Sequence, residues 1–98
     1  MSMNLKPDPT YIKIISRLAK ENMLTRKEIA RIVEPNFPYI PAPEKLIYVL
    51  SEVDRYIDSL EKNGMIIKFR YKGSRKDYTV QITERGLSYA EKLRKGEK

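Results

Sequence analysis

Five cations crowd one short stretch of this sequence: Lys68, Arg70, Lys72, Arg75 and Lys76 fall within nine residues, with Asp77 the one acid beside them. Gly73 and Ser74 interrupt them where the chain must turn, and both allow close approach to a surface. Cations gathered on a turn suit the neutralisation of phosphates. Edge strands also carry Lys and Arg, because charge blocks strand-to-strand association. One or two cations serve that purpose; five, concentrated at a tip, favour a polyanion.

A second set of candidates lies between residues 44 and 63. At helical spacing, Lys45, Tyr48, Ser51, Glu52, Arg55, Ser59 and Lys62 fall opposite an apolar stripe. Arg reads guanine bidentately, and Ser or Tyr holds phosphate. Such a face is also what any solvated amphipathic helix presents. Glu52, Asp54 and Asp58 make it less basic than the later stretch; they either accept from cytosine or repel a phosphate backbone, and the spacing leaves both open. The whole chain agrees with a polyanionic partner: 20 Lys and Arg against 13 Asp and Glu give a net charge of +7.

Other chemistries are excluded by what is missing. The chain has no Cys and no His. That removes disulfides, the usual zinc ligands and the base of a Ser-His or Cys-His nucleophile. The expectation is therefore no catalytic residue, no metal site, no cofactor and no small-molecule ligand, hence a protein that is not an enzyme. Hydrophobic residues make up 41% and charged ones 34%, which is too apolar for a disordered chain. No apolar run reaches the roughly 20 residues that span a bilayer, and MSMNLKPDPT has no apolar leader core. A cytoplasmic, nucleoid-associated protein without membrane contact is expected. The abundance of Ile, Lys, Glu, Arg and Tyr, with one Gln, suits a thermophile.

The elements that must position these residues follow from capping and periodicity. Asp8 and Pro9 start a helix to Asn22, with Tyr11, Ile14, Ile15 and Leu18 on one face; Met23 and Leu24 close it. Thr25-Arg26-Lys27-Glu28 is a capping box for a second helix through Ile29, Ala30, Ile32 and Val33, which Pro35 stops. PNFPYIPAP, residues 35–43, holds four prolines and is read as an ordered connection anchored by Phe37, Tyr39 and Ile40. A third helix, 44–63, carries the stripe Leu46, Val49, Leu50, Val53, Ile57 and Leu60 and stops at Gly64. It begins at Glu44 or nearer Ser51. Residues 65–71 and 78–83 alternate as two strands of a hairpin. Thr83 caps a last helix, Glu84 to about Lys95, with Leu87, Ala90 and Leu93 in line. One domain, 1–98, is expected, fraying at 1–7 and 96–98. Leu18, Leu46, Val53, Ile57, Leu60 and Ile67 are expected in one core.

The order helix, helix, long helix, hairpin, helix is that of a winged helix-turn-helix. The fold class is thus mainly α with a small β-hairpin: a three-helix core, a two-stranded wing and a C-terminal helix. Three stretches resemble the PadR and MarR groups of winged-helix regulators: LTRKEIARIV at 24–33, VDRYIDSLEKNGMII at 53–67 and KDYTVQITERG at 76–86. The resemblance implies sequence-specific binding of double-stranded DNA, in transcriptional control and as a dimer. It places Ser51, Asp54 and Arg55 toward the groove, Arg75 and Lys76 at the wing tip, and Arg26 and Lys27 against phosphate. The DNA-binding set is then Arg26, Lys27, Lys45, Tyr48, Ser51, Arg55, Ser59, Lys68, Arg70, Lys72, Ser74, Arg75 and Lys76. The long 35–43 connection departs from those groups, and no long C-terminal effector or dimerisation domain is expected. Plasmid partition or chromosome coating on the same fold is the alternative, since small winged-helix proteins of archaeal plasmids and viruses have similar size and composition; a protein-interaction adaptor is a third reading. A homodimer is expected through the last helix (Leu87, Tyr89, Ala90, Leu93) and the first.

Overall fold

The computed structural model describes residues 8–70 and 77–96. The elements run α1 (Pro9–Glu21), β1 (Met23–Thr25), α2 (Arg26–Val33), α3 (Pro43–Lys62), β2 (Ile66–Arg70), β3 (Tyr78–Ile82) and α4 (Glu84–Gly96).

Local signals start and stop the helices. Asp8 caps α1, its Oδ1 accepting the Thr10 N–H at 2.8 Å. That bond from the Thr10 backbone holds the Asp8 carboxyl below its ordinary pKa. Asn22 ends α1 in the left-handed region at φ 74°, where its N–H donates to the Leu18 carbonyl. The turn at Asn22 corrects one expectation. Met23 and Leu24 do not close the helix but form β1, which pairs antiparallel with β3. The sheet therefore has three strands in the order β1-β3-β2, rather than the two of a hairpin. The capping box of α2 is complete: the Thr25 hydroxyl accepts the Glu28 N–H, and the Glu28 carboxylate accepts the Thr25 N–H. In the proline-rich connection, Phe37 is buried and Ile40 partly so, whereas Tyr39, read as an anchor, is 85% exposed. Pro43 occupies the first turn of α3, so the helix takes the earlier of its two possible starts. Gly64, at φ 75°, lets the chain leave it.

The β2–β3 register decides which side of the hairpin faces inward. Tyr78, Val80 and Ile82 of β3 are buried, and their antiparallel neighbours are Arg70, Lys68 and Ile66. Ile66 therefore enters the core, while Ile67 is 48% exposed and Phe69 lies beside it on the outer face. The expected burial of Ile67 is overturned. A one-residue shift in which side faces the core exchanges every inward side chain of a strand.

Core residues come from every layer: Ile14, Ile15 and Leu18 of α1; Ile29 and Ala30 of α2; Val49, Val53, Ile57 and Leu60 of α3; and the inner face of the sheet. Leu46, expected among them, is partly buried at the edge. Tyr11 of α1 joins two further helices: its ring lies 6.4 Å from Tyr56 of α3 and 6.4 Å from Tyr89 of α4. No helix among the described residues is long and apolar enough to cross a membrane.

Candidate nucleic-acid interface

The outward face of α3 follows from its buried one. With Val49, Val53, Ile57 and Leu60 inward, the residues four apart at Ile47, Ser51, Arg55 and Ser59 form a row along the exposed side. Lys45 and Tyr48 are exposed next to it. Beside the row opens a cleft of about 440 Å³ between α2, α3 and the sheet, lined by Arg26, Ile47, Leu50, Ser51, Asp54, Asp58, Lys68, Arg70 and Tyr78.

Asp54 organises that cleft. Its carboxylate accepts two hydrogen bonds from Arg26, Nε to Oδ1 at 3.0 Å and Nη2 to Oδ2 at 2.8 Å. It also accepts the Tyr78 hydroxyl at 2.6 Å. Tyr78 lies between two cations, with the Arg26 guanidinium 5.7 Å and the Lys68 ammonium 5.0 Å from its ring centroid. Lys68 in turn pairs with Asp58 at 3.3 Å and Glu61 at 3.8 Å. Burial works against the Asp54 charge, but the bonds from Arg26 and Tyr78 and the charges of Arg26 and Lys68 outweigh it, so its pKa is lowered. Burial, then the bond to Asp54 and its negative charge, push the Tyr78 hydroxyl far above its ordinary value and keep it a donor. For Arg26, burial is likewise opposed and overcome by the Asp54 carboxylate, and its pKa is raised.

The structure thus sorts the expected contacts. Arg26, Ser51, Lys68 and Arg70 come together in the cleft. The side chains of Arg26 and Lys68 are each only 12% exposed and are held by carboxylates of α3. Lys27 is exposed on α2, and Lys45, Tyr48, Arg55 and Ser59 on α3. Arg55 is paired with Glu52 at 2.7 Å across one helical turn. Lys72, Ser74, Arg75 and Lys76 lie outside the described residues. Spacing in the sequence leaves the roles of Asp54 and Asp58 open and assigns Tyr78 none. Their partners are 24, 28 and 10 residues away in the chain, and no local spacing announces them.

This geometry has a counterpart among solved structures. A double mutant of Lactococcus lactis ZitR superposes on the chain with a TM-score of 0.61 at 21% identity, over 94% of this chain and 53% of that one. The fold is a winged helix. The chain spans about half the length of the ZitR chain it matches. No family model and no curated protein sequence matches it. In winged-helix terms α2 and α3 form the helix-turn-helix, and β2 and β3 are the wing strands. No cluster of His, Cys, Asp or Glu able to hold a metal ion occurs among the described residues.

Proposed function

We propose that this chain binds double-stranded DNA as a transcriptional regulator related to the PadR and MarR groups, with α3 in the major groove and the basic segment 68–77 against the backbone or minor groove. One observation carries the reading: a 20-residue helix presents an exposed row through Ser51, Arg55 and Ser59, next to two strands joined by the most basic stretch of the chain. The major groove, about 12 Å wide, admits such a helix. Lys27 and Lys45 flank the row and would meet phosphates. Arg26 and Lys68 take a different part. By pairing with Asp54, Asp58 and Glu61 they cancel negative charge on α3 that would otherwise repel the backbone; Arg26 ties α2 to α3, and Lys68 ties β2 to it.

Arg55 is 73% exposed in its pair with Glu52, so solvent screens the pair and the guanidinium can exchange Glu52 for a base edge. One winged helix reads only a few base pairs, and a homodimer would double the site. The test is selection of bound sequences from random duplexes, then footprinting. A single discrete site supports regulation; protection spreading from a site moves the role to coating or partition. Arg55→Ala should weaken the selected duplex by about 1–3 kcal/mol and relax preference at one position. Equal losses on selected and random duplexes would remove Arg55 from base reading.

A further inference from the structure

We infer that Ile47 is a specificity-determining residue that reads the C5-methyl group of a thymine. The inference rests on the DNA-binding reading above and names what part of the site would select. Ile47 is 68% exposed, the most exposed aliphatic side chain of α3. A β-branched residue gains nothing from such a position: in a solvated helix it is a poorer former than Ala, Glu or Lys and loses side-chain freedom.

Its surroundings give that exposure a use. Ile47 begins the outward row that continues through Ser51 and Arg55, and with the half-buried Leu50 it supplies the apolar part of the cleft wall. The nearby cations Arg26 and Lys68, each 12% exposed, are committed to Asp54 and to Asp58 with Glu61 rather than turned toward a base. What this end of the row offers a groove is an aliphatic surface beside a hydroxyl. Among base edges in the major groove only thymine presents a methyl to such a surface. Ile47 and Arg55 are eight residues apart, roughly 12 Å along the helix axis, so they address different base pairs.

The experiment uses the full chain and its selected duplex, replacing each thymine in turn by deoxyuridine, which removes the methyl and nothing else. Burying one methyl predicts that a single position per half-site loses about 3–5-fold in affinity. Ile47→Ala should bind the thymine and uracil duplexes equally, with an unchanged thermal melt. Arg55→Ala should keep the full thymine-over-uracil ratio. If no position is methyl-sensitive in the wild-type chain, or if Ile47→Ala keeps the sensitivity, the assignment is overturned and the exposed isoleucine belongs to a protein contact. A chain that binds no duplex at all overturns the functional reading itself, an outcome distinct from binding that ignores the methyl.

Discussion

Asp54 shows how one carboxylate serves two ends. It accepts three hydrogen bonds, from two nitrogens of Arg26 and from the Tyr78 hydroxyl, and so ties the first residue of α2 and the first residue of β3 to the middle of α3. Removing its charge leaves a largely buried guanidinium without its partner, which costs more than the pair itself contributes. Asp54→Asn should lower stability at neutral pH by about 1–3 kcal/mol, read by denaturant titration. The pH dependence has a definite sign. The Asp54 pKa is depressed in the fold, so its contribution is complete above the ordinary value of 3.8 and is lost as pH falls through the folded value. Wild-type stability should therefore fall more steeply below about pH 4 than that of Asp54→Asn. Parallel curves for the two proteins would show that the carboxylate is not charge-paired in solution.

At the scale of elements, α4 is held by closeness rather than by a broad apolar face. Gly86 is its one buried residue, and Leu87, read as part of a dimer surface, is 42% exposed. Thr83 places the helix: its hydroxyl donates to the Gly64 carbonyl and accepts the Gly86 N–H, bridging the end of α3 to the start of α4. A Cβ at Gly86 would collide with the Met65 carbonyl oxygen and meet Ile82 Cγ1 at 2.7 Å. Two effects compete in Gly86→Ala. Alanine is the better helix former by about 1 kcal/mol, while overpacking against a backbone atom that cannot yield costs about 1–3 kcal/mol. Net destabilisation is expected, with a lower thermal midpoint; a gain would mean that α4 lifts freely from the sheet.

For the whole molecule, the two proposed associations, with a second copy and with DNA, should respond oppositely to salt. Between α1 and α4 lies an open groove of about 870 Å³ whose apolar lining includes Ile12, Ala19, Leu87, Ala90 and Leu93, bordered by Lys13, Arg17, Lys20 and Arg94 against Glu91. A second copy docked there would bring like charges together, so self-association should tighten as salt screens them. DNA binding releases counterions and should weaken with salt, and replacing both Arg75 and Lys76 by Ala should reduce that slope by about two units on every duplex. Sedimentation and duplex titration across a salt series measure both. A monomer at high protein concentration and high salt, together with one monomer per DNA site, would remove the dimer.

The elements themselves were legible in the sequence because their causes are local. The Asp8 cap, the Thr25–Glu28 capping box, the glycine stop at Gly64 and the stripe through Val53, Ile57 and Leu60 each act within a few residues, and all appear where they were read. Spacing and charge also led to the outward row of α3 and to the basic segment after residue 67. The tertiary structure decided what depends on distant partners. Period-two alternation divides β2 into two faces without naming the buried one; pairing with Val80 and Ile82 chose Ile66 over Ile67. Three residues after Asn22 are too few to declare a strand, and β1 exists because β3 offers it an edge. The family resemblance sets Arg26 against phosphate, and the charge pattern sets Lys68 among the basic residues of the hairpin. Only the packing of α2 and the sheet against α3 brings them to Asp54 and Asp58, because ion pairing depends on distance in space and not on separation along the chain.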